Sequence, residues 1–326
     1  MIHKISTAEM SREEWLAERR NSLGGSDMGA IVGLNPYSSP YSVWAEKTGR
    51  IPGAEENEAM RQGRDLEEYV AQRFTELTGK KVQRLNFLLR NDDAPHLHAN
   101  IDRRVVGEHS GLECKTASAL SAKKYAGGDF PEHYYVQCVS YLAVTGWDRW
   151  YLAAVVLGKS FHVYMMTTIQ DDPVPEWCEG SVYVSREEIQ ALRDMGCNFW
   201  ESYVIPDKEP PVDGTDATGE AMKLIYANTN GETIELFGRE GMLEDYQQLG
   251  KRIKELQLQQ DELKQIIQQD MGEAVMATST GYKVSWKPQT RNSFQAKQFA
   301  KEHPEIDLGP YYKSSTFRTF KIEEVK

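Results

Sequence analysis

Asp102, Glu113 and Lys115 are the residues of this chain whose types and spacing can do chemistry together. Asp102 ends an alternating run, the turn Gly107-Glu108-His109-Ser110-Gly111 follows, and Leu112-Glu113-Cys114-Lys115 leads out of it. Side chains alternate across a strand, so Glu113 and Lys115 share one face while Leu112 and Cys114 point into apolar packing. A hairpin of this length returns Asp102 to the side of Glu113. Two adjacent carboxylates repel, and one is driven neutral unless a positive partner joins them. A hard divalent cation such as magnesium or manganese resolves that conflict through oxygen ligands. A lysine beside it can orient or deprotonate a water. The plainer alternative is a polar hairpin with solvated charges.

An acid followed by Glu-x-Lys resembles the metal-dependent nuclease core written PD-(D/E)XK, a pattern that also arises often by chance. Its weight therefore depends on the elements that must position it. The spacing predicts a helix from Ser11 to Arg20, with Ser11 as N-cap and Glu14 completing a capping box. Gly24-Gly25-Ser26-Asp27 reads as a loop entering a second helix, where Arg19 and Ser26 can grip a terminal phosphate; on the residues alone a plain helix cap is the simpler reading. Pro40 to Lys47 is a short helix. Gly63 opens a helix with Leu66, Val70, Phe74 and Leu77 as its buried stripe, placing Glu67 beside the stripe and Glu68 toward solvent. Val82 to Leu89 and His96 to Asp102 alternate like strands, and the second puts His98, Asn100 and Asp102 on one face. His98 there is either near a metal or structural. Pro131 suits a first helical position, and the helix to Thr145 sets Gln137 and Tyr141 on one face. Asp148 to Leu157 and Ser160 to Thr168 form a hairpin, and a helix spans about Ser185 to Tyr203.

Pro206, Pro210, Pro211 and Gly214 mark a boundary. The expected organisation is a core over 1–205, a linker region over 206–240, and a helical arm with a small β extension over 241–326. In that arm Tyr246, Leu249, Ile253, Leu256, Gln260, Leu263 and Ile267 follow a heptad-like seam with one polar position. Strands at Tyr282 to Trp286 and Thr316 to Ile322 flank a short helix near Phe294 to Lys301.

The 326 residues carry a net charge of −11, with 40% hydrophobic and 27% charged residues. This is ordinary for a globular chain and argues against a general polyanion binder, though a locally basic channel stays compatible with it. No apolar run approaches the ~20 residues that span a bilayer, and the N-terminus lacks a signal peptide's apolar region. The four cysteines include no C-x-x-C pair, so reduced thiols in a cytoplasmic protein are expected. No glycine-rich nucleotide loop is present.

Taken in order, Trp15-x-x-x-Arg19, Gly25-Ser26-Asp27, Gly33-Leu34-Asn35-Pro36-Tyr37, Gly63-x-x-x-Glu67, Phe74, Asp102, Glu113-x-Lys115 and Tyr134-x-x-Gln137 resemble the YqaJ-type viral recombinase family, to which phage lambda exonuclease is related. No single motif is specific, but their joint order is. The resemblance covers roughly residues 12 to 165, and Trp286-Lys287, Phe294, Pro304 and Arg318-x-Phe320 are similar to the C-terminal part of phage members. It implies an α/β fold of the PD-(D/E)XK restriction-endonuclease type, a central mixed sheet flanked by helices. The implied activity is a 5′-to-3′ exonuclease on linear double-stranded DNA, a phosphodiester hydrolase that leaves 3′ single-stranded tails for recombination by strand annealing.

By the same resemblance Asp102, Glu113, the Cys114 backbone carbonyl and Glu67 would hold one or two magnesium ions, with manganese as a substitute. Lys115 would activate water, Gln137 would help position it, and Arg19 and Ser26 would bind the 5′-phosphate. The implied partners are DNA ends, a single-strand annealing protein and further copies in a trimeric ring, in a phage or prophage protein of the bacterial cytoplasm. One departure stands out: the family often has Pro-Asp-Gly at the first acid, and this chain has Ile101-Asp102-Arg103. An endonuclease on the same core and a non-catalytic DNA-binding module are the alternatives.

Overall fold

Trp150 to Val156 is apolar at every position, the pattern of a strand covered on both faces rather than one. The computed structural model, which describes residues 1–53, 57–313 and 317–323, builds the first of two compact units around that strand. This unit, Met1–Ala227, contains in chain order β1 (Ile2–Ser6), α1 (Arg12–Arg20), α2 (Gly25–Ile31), α3 (Pro40–Lys47) and α4 (Glu58–Thr78). Then come β2 (Val82–Arg84), β3 (Phe87–Asn91), β4 (Ala94–Asn100), β5 (Arg103–Val105), β6 (Ser110–Ala117) and α5 (Glu132–Thr145). It ends with β7 (Arg149–Val156), β8 (Ser160–Thr167), β9 (Gly180–Tyr183), α6 (Arg186–Phe199) and α7 (Asp216–Ile225).

Six strands form a mixed sheet in the order β2-β5-β6-β7-β8-β9. β6 and β7 run parallel, joined by a crossover through α5, while β5–β6 and β7–β8 are antiparallel. A separate antiparallel sheet has the order β1-β3-β4. The mixed sheet divides the core. Trp150, Leu152, Ala154, Tyr164 and Met166 face α2, α3, α5 and α6, whereas Tyr151, Ala153, Val163 and Met165 face α4. Helix α5 is buried from Val136 through Thr145, as expected of a helix apolar all round.

Several expectations hold and several shift. α1 has its Ser11–Glu14 capping box, and α3 starts at Pro40 behind the Ser39 cap. α4 begins at Glu58 behind an Asn57 cap, not at Gly63, because one glycine does not halt a helix already nucleated ahead of it. Its buried stripe is Val70, Ala71 and Phe74, whereas Leu77 is largely exposed. Phe74 packs on Tyr151 and Trp177 with ring centroids 5.5 and 6.2 Å away, clamping α4 to the sheet. Val82 to Leu89 is two strands in two different sheets, broken at Leu85-Asn86. Pro131 is the N-cap residue of α5 rather than its first helical residue. The α6 helix gives way at Trp200–Val204 to a π turn.

The first unit extends to Ala227, beyond the boundary expected at 205, because α7 packs back on α3 and the Thr218 hydroxyl donates to Ser39 Oγ at 2.7 Å. The second unit, Asn228–Lys326, contains α8 (Glu240–Met271), a β10 (Met276–Ser279) and β11 (Tyr282–Ser285) hairpin, and α9 (Ala296–Glu302). Its α8 is 32 residues long, and the seam from Tyr246 to Ile267 is exposed. Residues 317–323 form no strand, and Thr316, where that strand was expected to start, lies outside the described residues. Among the described residues no helix is long and apolar enough to cross a membrane.

Candidate active site

The end of β4 and the start of β5 deliver Asp102 beside β6, where Arg103 registers with Leu112. Oδ2 of Asp102 accepts a hydrogen bond from the Cys114 backbone N–H at 2.9 Å, which fixes the first acid against the Glu-x-Lys strand. β6 alternates as its sequence requires. Leu112 is buried and Cys114 partly buried on the α4 side, while Glu113 and Lys115 face α5. There Gln137 completes a tight set: Lys115 Nζ donates to Glu113 Oε1 at 2.5 Å and to Gln137 Oε1 at 3.0 Å. Gln137 Nε2 donates to the same Glu113 oxygen at 2.6 Å and to the Tyr141 hydroxyl at 2.8 Å. The Lys115 ammonium also sits 4.7 Å from the Tyr134 ring centroid, a cation–π contact.

The electrostatics set the carboxylates apart. Burial, then the neighbouring charges of Glu113 and Glu67, pushes the Asp102 carboxyl well above its ordinary range. Burial also raises Glu113, against the pull of Lys115. For Lys115 burial acts downward, but Glu113, Tyr134 and Asp102 outweigh it and hold the amine protonated. The Cys114 thiol is raised by burial and by Asp102, so it is an inert thiol.

Arg19 and Ser26 border the same cavity, about 250 Å³, together with Gly24, Gly25, His98, Asn100 and Tyr141. The Arg19 guanidinium stacks over Trp15 at 4.5 Å, and Ser26 is exposed. Behind them Asp27 Oδ2 takes the Gly24 N–H at 2.8 Å and the buried Lys47 ammonium at 2.7 Å. Burial pushes the Asp27 carboxyl up, yet Lys47 and Arg19 outweigh it and keep it low. The glycine pair is needed for close approach. A Cβ at Gly25 would stand 2.8 Å from Gln137 Cγ, and one at Gly24 would stand 2.9 Å from His98 Nε2.

The YqaJ-like viral recombinase domain matches residues 14–148, a span that includes every candidate site residue from Arg19 to Gln137. The uncharacterized protein YqaJ of Bacillus subtilis (strain 168) is 35% identical over 323 residues, covering 98% of this chain and 96% of that one. The chain belongs to the YqaJ family. Among solved structures it is similar to an alkaline exonuclease (LHK-Exo) from Laribacter hongkongensis, with TM-score 0.48 and 18% identity over 60% of this chain and 93% of that one. It is also similar to a phage related exonuclease from Haemophilus somnus 129PT, with TM-score 0.40 and 12% identity over 57% and 96%.

For this YqaJ family member the fit of a divalent cation can be tested on the donors themselves. Glu113 Oε2 is buried without a hydrogen-bond partner, and Glu113 lies close enough for its charge to raise Asp102. These two carboxylates suit a hard cation. Glu67 is different. Its carboxylate is gripped by the buried Arg103, with Arg84 at 3.5 Å, and among the described residues no three His, Cys, Asp or Glu side chains form a metal-binding cluster. The Arg103 nitrogen that donates to Glu67 also donates to the Asp102 carbonyl at 2.7 Å, so one side chain ties Glu67 to the first acid. Sequence reasoning missed Arg103, whose acids on α4, Glu67 and Glu68, lie 36 and 35 residues away in sequence. It also missed Tyr134 as the ring beside Lys115, and Lys47 as the buried partner of Asp27. Those pairings come only from tertiary packing.

Proposed function

We propose that this chain is a metal-dependent deoxyribonuclease that digests linear double-stranded DNA from the 5′ end and leaves 3′ single-stranded tails. One observation carries the reading. A pair of carboxylates, Asp102 and Glu113, is forced together in a buried polar cavity with one oxygen unpartnered and a protonated lysine at hand. Such a pair either keeps a proton or is joined by something positive, and a divalent cation supplies that charge. Asp102 and Glu113 would hold a magnesium ion, with manganese as a substitute and the Cys114 carbonyl as a further ligand. When bound, the ion neutralises phosphate charge and lowers the pKa of water.

The protein's own residues do the rest. Lys115 stays charged, so it acts as a donor that orients water and offsets negative charge on the scissile phosphate; that role replaces deprotonation. Gln137 bridges Glu113 and Lys115 and fixes both, while Tyr141 fixes Gln137. Arg19, aligned by Trp15, would bind the terminal 5′-phosphate with Ser26 and so set how far a strand enters. We extend this reading to a trimeric ring around DNA, a single-strand annealing partner and a cytoplasmic phage or prophage setting, all by family resemblance.

The test is magnesium-dependent digestion of a linear duplex labelled at each strand end, beside a covalently closed circle. Stepwise loss of the 5′-labelled strand with the circle intact is expected. A cut circle would replace this reading with an endonuclease, and no cleavage of either would leave a DNA-binding module.

A further inference from the structure

Opposite Arg19 the cavity is bordered by His98, a ring only 1% exposed. Its Nδ1 lies 2.9 Å from Oγ of the fully buried Ser22. Arg90 Nη2 donates to that same Ser22 oxygen at 3.2 Å and to Glu18 Oε1 at 2.7 Å. With an arginine N–H already on the oxygen, and no other acceptor among the described residues, the Ser22 hydroxyl proton goes to Nδ1. Nδ1 is thus an acceptor, and the neutral ring carries its proton on Nε2. Burial, then the nearby Arg19 cation, holds the ring neutral. The Nε2 atom has no partner. A methyl group built on Gly24 would stand 2.9 Å from Nε2 and 3.7 Å from Arg19 Nη2, so the two donors flank one spot.

A buried N–H without an acceptor is destabilising and calls for an explanation. We propose that His98 Nε2–H is a further binding group for the terminal 5′-phosphate, a neutral donor fixed in its tautomer by the Glu18–Arg90–Ser22 relay and paired with the charge of Arg19. The proposal rests on the nuclease reading of this cavity and deepens it. Nε2 is shielded from solvent at rest, so the contact requires a local shift as the phosphate enters. Division of labour follows: Arg19 supplies attraction, and His98 supplies direction.

The test is a fluorescence-anisotropy titration in EDTA with duplexes that differ only in a 5′-phosphate or a 5′-hydroxyl. Wild type is expected to prefer the phosphorylated end. His98→Phe should lose about tenfold to a hundredfold of that preference, the range of a hydrogen bond to a charged group, and leave the hydroxyl end unchanged. His98→Gln, whose amide reaches near the Nε2 position, should restore part of it. Equal loss on both ends, or no loss, overturns the proposal. Should the variants misfold, nitrogen-15 histidine spectra of wild type decide: an Nε2–H tautomer whose signal moves only with the phosphorylated duplex supports it. The opposite tautomer, or no movement, overturns it. Cleavage with magnesium is scored separately. A wild type that discriminates ends without cutting sinks the nuclease reading and keeps the donor, whereas cutting with preference intact in His98→Phe does the reverse.

Discussion

The two walls of the cavity solve the problem of buried charge in opposite ways. On the β6 wall, Asp102 and Glu113 are both pushed toward neutrality, and Glu113 keeps an oxygen with no partner. On the wall built by α1, α2 and α3, Asp27 is matched by Lys47 and by the Gly24 N–H, and its carboxyl is held low. One wall stores unfavourable electrostatics that a ligand can relieve, and the other spends its charges on holding a shape. A site that must bind a cation and also place a phosphate needs both, since pre-organisation on one side limits what has to be rearranged on the other.

The largest effect expected from breaking this contrast is on catalysis. Lys115→Ala should lower the rate of duplex digestion about a thousandfold or more, within the span of a positioned proton-transfer or charge-stabilising group. DNA binding measured in EDTA should stay within a few-fold of wild type. Binding lost as severely as cleavage would mean that Lys115 acts by holding Glu113 and Gln137 together, not by touching substrate.

Next in size is the shape-holding wall. Lys47→Met leaves Asp27 as a buried charge without its cation and should destabilise the protein by about 3 kcal/mol in urea unfolding, the cost typical of breaking a buried pair from one side. An effect below ~1 kcal/mol would show that Asp27 simply takes up a proton or water. Smaller again, and confined to function, is Arg19→Ala. It should weaken capture of 5′-phosphorylated ends about tenfold to a hundredfold while sparing 5′-hydroxyl ends, as read by competition between the two duplexes.

The two walls also differ in how far the sequence discloses them. Asp102, Glu113 and Lys115 are legible because strand alternation and hairpin return are local rules, and the hydrogen bond from Cys114 N–H to Asp102 is the outcome those rules imply. The capping box of α1 was legible for the same reason. The partners were not. Lys47 reaches Asp27 from the end of α3, and Arg103 takes Glu67 from across the sheet edge, through contacts whose sequence separation no periodicity encodes. Val82 to Leu89 shows the limit clearly, since alternation identified strand character but could not say that its halves join different sheets. The seam of α8 shows the converse, a pattern that predicts a packed face while its apolar side chains stand exposed in this chain.

The finest test uses stability against pH, because the walls respond with opposite sign. Asp102 has its folded-state pKa raised above the unfolded value of about 3.9. Its contribution is therefore complete below about pH 4 and is lost as pH climbs toward the folded value. Asp27 is lowered, so its contribution is present above about pH 4 and lost as pH falls through the folded value. His98 is lowered too, and the protein loses stability as pH drops below about 6.5, where the unfolded chain takes a proton that the buried ring refuses. Asp102→Asn keeps an acceptor for the Cys114 N–H and removes only the charge. In EDTA it should raise the melting temperature at pH 8 by about 2–4 °C, equivalent to ~1 kcal/mol for a unit of this size, and the gain should shrink toward zero near pH 4. Magnesium should raise the melting temperature of wild type at pH 8 and leave Asp102→Asn unmoved. A gain independent of pH would place the Asn effect in packing, and an equal magnesium response in both proteins would remove Asp102 from the cation site.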